Sequence, residues 1–244
     1  MRNWKTETEN RVKWIQAALA SAGANGVVFG NSGGKDSALV GILCKKACDN
    51  TVGLIMPCQS GRNYTVDKTD GEALAEKFGI ECRVVDVTPI KNAVIDALPG
   101  VTAELALANV NPRVRMIALY AVAQQENRLV AGTGNKSEIT MGYFTKWGDG
   151  ACDFNPIADL TASEIFGFLE YLGAPESIIT KAPSAGLWDG QTDEEEMGLT
   201  YAQLDRYILT GEADKDVKAK VDAAGSRTAH KRRMPLWYGT DEIK

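Results

Sequence analysis

The chain has 244 residues, with 27 Lys and Arg against 32 Asp and Glu, a net charge of −5, one His, five Cys and 24 Gly. This length carries one large domain or two small ones around a core that needs no disulfide or metal, and the acidic balance excludes a protein that coats nucleic acid or an anionic membrane. No apolar run reaches the ~18 residues of a membrane span and the N-terminus lacks the apolar stretch of a signal peptide, so a cytoplasmic protein is expected. Trp4, Val12, Ile15, Ala18, Leu19 and Ala22 recur at helical spacing, closed by Gly23, which predicts a helix over 3–22. GVVFG at 26–30 reads as a buried strand, 36–48 as a buried helix, 51–56 as a second strand and 66–78 as a helix ended by Gly79. Residues 81–87 form a third strand and 89–98 a short helix broken at Pro99-Gly100. A polar hinge is expected at 109–112, then an apolar helix over 113–126 suited to core and interface, then a fourth strand over 128–131. The cysteines, Cys44, Cys48, Cys58, Cys82 and Cys152, complete no zinc set and read as reduced thiols.

Strands alternating with helices predict an α/β fold, a doubly wound parallel sheet flanked by helices in a single domain over 1–244. Ligands of such sheets sit beyond the carboxyl ends of the strands. Glycine-rich segments lie at two of those ends, after the first and fourth strands. From about residue 140 the pattern loosens into two long loops, 142–157 and 181–198, with short helices expected over 161–173, 200–210 and 213–224. Loops of that length carrying tryptophans suit lids over a ligand.

The sharpest signal is Gly30-Asn31-Ser32-Gly33-Gly34-Lys35-Asp36-Ser37, between a strand and a helix. Consecutive glycines let successive N–H groups face one concavity, a nest for phosphate oxygens, and the helix N-terminus adds its own unpaired donors. Ser32 and Ser37 add hydroxyls, and Asp36 suits a phosphate-bound magnesium. The spacing is neither Walker A nor GxGxxG. A plain strand-to-helix turn with Asp36 as helix cap accounts for less, because it leaves two serines and two adjacent glycines unexplained. The loop resembles the SGGxDS pyrophosphate loop of the N-type ATP pyrophosphatases, which cleave ATP between its α and β phosphates.

Gly132-Thr133-Gly134-Asn135-Lys136-Ser137-Glu138 follows the fourth strand. If that strand neighbours the first, Glu138 meets Asp36 and the two carboxylates form an oxygen site for magnesium. Spacing alone leaves this level with the view that Ser137 and Glu138 merely begin a helix. The ordered set of NPRVRM at 111–116, GTGNKSE at 132–138, GYFTKWGDGACDFNPI at 142–157, KAPSAGLWDGQTDE at 181–194 and His230-Lys231-Arg232 resembles the NAD synthetase family over nearly the whole chain. GMP and asparagine synthetases share the first loop but not the GYFTKxGDG segment.

The resemblance implies ATP-dependent amidation of deamido-NAD to NAD through an adenylated nicotinate, by a homodimer. It places Gly30 to Ser37, Thr133 and Ser184 on ATP, with Asp36 and Glu138 on Mg2+. It places Arg115, Lys146, Asp153, His230 and Lys231 on deamido-NAD. Asp153 is also a candidate acceptor of the ammonium proton, equally suited to a salt bridge. Arg115 and Lys146 are sensible counter-charges to a pyrophosphate and a pyridine carboxylate, and Tyr143, Phe144 and Trp147 are suited to stacking on its rings. Two departures stand out: Ala162 occupies a position where many members carry a phosphate-reaching lysine, leaving Lys181 or Lys35 to replace it, and Gly186 replaces an aspartate. With 25 residues before the first strand, no glutamine amidase domain is expected, so ammonia is the nitrogen donor. A tRNA-modifying pyrophosphatase is the weaker reading, because 230–233 is the one basic cluster. An ATP sensor without turnover would lack the carboxylate pair, which this chain has.

Overall fold

The computed structural model describes residues 2–58, 63–181 and 193–239. At its centre lies β1 (Gly26–Gly30), joined by β2 (Thr51–Ile55), β3 (Glu81–Val84) and β4 (Arg128–Ala131) into a parallel sheet of order β3-β2-β1-β4. Val28 registers with Val52 on one side and Val130 on the other. The chain lays β2 and β3 to one side of β1 and then returns to place β4 on the other. That reversal opens a crevice at the carboxyl ends of β1 and β4, where doubly wound folds bind ligands.

The helices among the described residues are α1 (Trp4–Ala22), α2 (Lys35–Ala47), α3 (Lys68–Phe78), α4 (Thr88–Asp96), α5 (Glu104–Ala108), α6 (Val110–Glu126), α7 (Lys136–Met141), α8 (Ala162–Leu172), α9 (Glu176–Ile179), α10 (Asp193–Met197), α11 (Tyr201–Thr210) and α12 (Lys215–Arg227). Alternation along β1 sends its side chains into two cores. Val27 and Phe29 pack with Ile15 of α1, Leu39 and Leu43 of α2, and Ile165 and Phe168 of α8. Val28 packs with Val52, Val130 and the Val114 and Ala123 side of α6. Helices on both faces explain why β1 and β2 read as unbroken apolar runs. A third cluster joins α7, α11 and α12 through Met141, Leu204, Val217 and Val221. There Gly142 has φ +67°, and a Cβ on it would fall 2.2 Å from Thr228 Oγ1, so glycine is what lets α12 approach α7.

Most expected elements stand within a few residues of their predicted ends, as strand and helix periodicity allows. The expected hinge at 109–112 is absent: α6 starts at Val110 and runs through Pro112. Proline lies in its first turn, where a missing N–H costs nothing. α5 went unforeseen, and a π turn at Asn63–Asp67 precedes α3. The cap of α2 is Gly34, not Asp36, so the Asp36 carboxylate serves elsewhere. Cys44, Cys48, Cys58, Cys82 and Cys152 are all free thiols. No helix among the described residues is long and apolar enough to cross a membrane.

Candidate active site

A cavity of about 1110 Å³ opens at the carboxyl ends of β1 and β4. Its wall takes in Gly30, Asn31, Ser32, Gly34, Lys35, Asp36 and Ser37 from the β1–α2 turn, and Thr133 and Glu138 from the β4–α7 turn. Arg115 from α6 and His230 and Lys231 from the 3-10 turn Ala229–Arg232 complete the far side. The two glycine-rich signals, about a hundred residues apart in sequence, therefore meet in one pocket.

The turn is held from behind. Asn31 is buried and its Nδ2 donates to Gly71 O at 2.9 Å, fastening the loop to α3. Ser32 and Ser37 hydroxyls lie 3.0 Å apart, and Ser37 Oγ donates to Gly34 O. Gly33 is the residue of this run outside the wall; its φ of +68° turns the backbone away from the cavity. The first turn of α2 leaves N–H groups without helical partners, and these open onto the pocket with the positive end of the helix.

Asp36 and Glu138 do converge. Asn135 donates through Nδ2 to Asp36 Oδ1 at 3.0 Å, while Glu138 Oε2 accepts from Asn135 N in a capping box. Helix start and paired carboxylate are thus both true of Glu138. Burial, and then the neighbouring Asp36 charge, raise the Glu138 carboxyl well above its ordinary range. Lys35 balances part of this: its buried ammonium donates to Asp36 Oδ2 at 2.5 Å and sits 5.5 Å from the Tyr201 ring and 5.9 Å from that of Phe166. Asp193, buried at the start of α10, acts on both Lys35 and Glu138 and accepts from Tyr201 Oη at 2.9 Å. Three carboxylates around one ammonium leave an excess of negative charge and hard oxygen donors. Among the described residues, no three acidic, His or Cys side chains converge into an all-protein metal site. Magnesium fits such a place, since it keeps waters and binds through one or two carboxylates plus substrate phosphate.

The substrate-side residues divide. Arg115 is half-buried, donates through Nε to Met56 O at 3.0 Å, and has its pKa lowered by desolvation. Lys231 Nζ donates to Gly142 O and Phe144 O at 2.8 and 2.7 Å, so it shapes the wall as well as charging it. Lys146 and Asp153 lie outside the wall. Lys146 donates to His230 O at 2.6 Å, and Asp153 accepts from Val130 N at 2.7 Å and Tyr120 Oη at 3.3 Å. Ser184 lies outside the described residues.

Asp149 and Asp193 are among the wall residues that the sequence did not single out. Asp149, held by Thr145 N at 2.9 Å, lines the pocket near Arg115 and Lys231, and burial raises its carboxyl pKa. Its signal was the GDG turn at 148–150, and no periodicity separates Asp149 from Asp153 three residues past that turn. Asp193 belonged to an acidic cluster whose members look alike in sequence.

The NAD synthase family model matches residues 7–235. The NH(3)-dependent NAD(+) synthetase of Carboxydothermus hydrogenoformans is 46% identical, covering 96% of this chain and 97% of that protein. Among solved structures, an NMN synthetase from Francisella tularensis superposes with a TM-score of 0.93 at 37% identity, over 98% of this chain and 100% of that one. The NH3-dependent NAD synthetase from Campylobacter jejuni superposes with a TM-score of 0.81 at 33% identity, over 97% and 99%.

Proposed function

The chain belongs to the NAD synthase family, and on that premise we propose that this pocket performs the ATP-dependent amidation of deamido-NAD to NAD with free ammonia. The observation that carries the reading is the meeting of the Gly30–Ser37 turn and the Asp36–Glu138 pair in one cavity with Arg115, His230 and Lys231.

A nicotinate carboxylate oxygen attacks the α-phosphorus of ATP, the bond to the β-phosphate oxygen breaks, and pyrophosphate leaves into the turn before α2. The helix N-terminus and the Ser32 and Ser37 hydroxyls receive the charge that develops there. Asp36 and Glu138 are the residues that would hold magnesium, which neutralises phosphate charge and polarises the phosphoryl oxygens when bound. Arg115 and Lys231 face the anionic parts of the dinucleotide. Ammonia then attacks the acyl carbon and AMP departs. Asp149, in the cavity wall near Arg115 and Lys231, is the carboxylate placed to take the ammonium proton. Asp153 serves instead by tethering its loop to β4. Thr133 and Ser184 complete the ATP side in this reading, and Lys146 acts on the dinucleotide side by fixing the His230 backbone.

A homodimer is part of the proposal. It is supported by Ile117 on α6, 54% exposed, and by exposed Leu98, Val101 and Leu105 just before that helix. Five free thiols suit a reducing cytoplasm.

A second substrate reading has a specific observation behind it: the TM-score of 0.93 belongs to an NMN synthetase. Nicotinic acid mononucleotide presents the same pyridine carboxylate and lacks the adenylate half. Purified protein with ATP, magnesium and ammonium is given each substrate, and AMP and amide product are followed. A higher kcat/KM for deamido-NAD upholds the first reading, a higher value for the mononucleotide upholds the second, and product from neither refutes both. Glutamine in place of ammonium gives no product; equal activity with glutamine refutes the ammonia donor.

A further inference from the structure

We propose that Lys181 is a positioning residue that keeps the phosphate turn receptive to a polyanion, by neutralising two carboxylates packed against that turn. The inference rests on the reading of Gly30–Ser37 as the ATP phosphate site.

Asp67 and Asp70 press on Gly33, and Asp67 and Lys181 stand in the cavity wall beside it. A Cβ on Gly33 would fall 2.2 Å from Asp67 O and 3.1 Å from Asp70 Cβ, so backbone and side chain here are in direct contact with the turn. Both carboxylates are largely buried, with 16% and 10% of their side chains exposed, and Asp67 also lines the cavity. Two poorly screened anions beside a pyrophosphate site have the wrong sign, and partial burial strengthens the repulsion.

Lys181 sits between them. Its Nζ donates to Asp67 Oδ1 at 2.7 Å, to Asp70 Oδ2 at 2.8 Å and to Gly33 O at 3.4 Å. An ammonium has three N–H donors, and here three acceptors occupy them. The side chain is therefore engaged in holding the carboxylates and the Gly33 carbonyl, and it acts on phosphate through them. It extends from just past α9, which is anchored by the fully buried Ile178. The other candidate to make up for Ala162 is Lys35, whose ammonium is committed to Asp36.

The test measures binding of ATP and of inorganic pyrophosphate to the full chain by calorimetry with magnesium present. It compares wild type with Lys181→Met, Lys181→Arg, Asp67→Asn/Asp70→Asn and the triple variant Lys181→Met/Asp67→Asn/Asp70→Asn. Lys181→Met is expected to weaken both ligands about tenfold or more, because two largely buried carboxylates lose this counter-ion. Lys181→Arg keeps affinity within about threefold, and the triple variant returns to within about threefold of wild type. Wild-type affinity in Lys181→Met overturns the proposal. So does a triple variant as weak as Lys181→Met, since that pattern belongs to a lysine touching phosphate directly. If Lys181→Met does not fold, the triple variant is compared with Asp67→Asn/Asp70→Asn. Equal affinity supports the proposal, and a weaker triple overturns it. Failure of the wild type to bind either ligand refutes the phosphate site itself, whereas binding without amidation refutes only the assigned reaction.

Discussion

Two adjacent glycines offer a sharp test of how the turn before α2 is built, and of the ATP role proposed for it. Gly33 has φ +68°, and a Cβ there would lie 2.2 Å from Asp67 O and 3.0 Å from its carbonyl carbon. Left-handed backbone costs a non-glycine residue about 1–2 kcal/mol. An ordinary carbon–oxygen contact is about 3.3 Å, so the Asp67 backbone or the turn must also move by about 1 Å. A displacement of about 1 Å at a reacting site can cost about a hundredfold in rate. Gly33→Ala is therefore expected to raise the ATP KM or lower kcat by up to about a hundredfold. A stability loss of about 2 kcal/mol lowers Tm by roughly 4–8 °C in a chain of this size. Gly34 has φ −95°, and its added Cβ would meet only the Ser32 hydroxyl at 3.3 Å, which can rotate away. Gly34→Ala at this cap position should cost well under about 1 kcal/mol. The assay is steady-state amidation with varied ATP alongside thermal unfolding. Equal effects of the two substitutions, or an unchanged Gly33→Ala enzyme, would refute the reasoning.

Asp36→Asn preserves shape while removing charge from the carboxylate pair, and kcat should fall by about 10²–10³ with little change in Tm; a fall below tenfold would count against its role. Asp149 has a raised pKa, so activity that needs its ionised form climbs as pH rises through that value, and Asp149→Asn should lose this acid limb. The same raised value means the folded state holds the proton more tightly. Asp149 therefore contributes stability below its unfolded pKa that is lost as pH rises through the folded one, and Asp149→Asn should melt higher at neutral pH. Glu126 is the reverse case: Arg83 and Arg128 pull its carboxyl down to about 2. Its stabilisation is complete above the ordinary glutamate range and lost as pH falls toward about 2. The Tm gap between wild type and Glu126→Gln should therefore narrow between about pH 5 and pH 2, measured by calorimetry.

What could be read from sequence followed from how local each feature is. β1 and the turn after it were visible because an apolar run, paired glycines and a helix start are consecutive. Neighbouring of β1 and β4 was an assumption from sequence, and the sheet order supplies it. Lys35 is grouped with the turn by its place in the run; its burial beside Phe166 and Tyr201, more than 130 residues away, is something no local pattern shows. Asp149 stands in the cavity wall while β4 holds Asp153 through Val130 N, a contact between a loop and a strand edge that no local pattern shows. Proline misled at position 112 because a helix tolerates it in the first turn.

The return of the chain to pair β4 with β1 has a consequence for the order of assembly. Phe29 and Ala131 are register partners, so their pairing closes a loop of about a hundred residues. Such distant pairings form late, after local helices and the nearer β1–β2 contact. The turn before α2 therefore takes shape before Glu138 arrives, and the pocket is complete only when β4 docks on β1. A nucleotide that needs both halves recognises the finished fold alone, and adds to its stability by mass action as the nucleotide concentration rises.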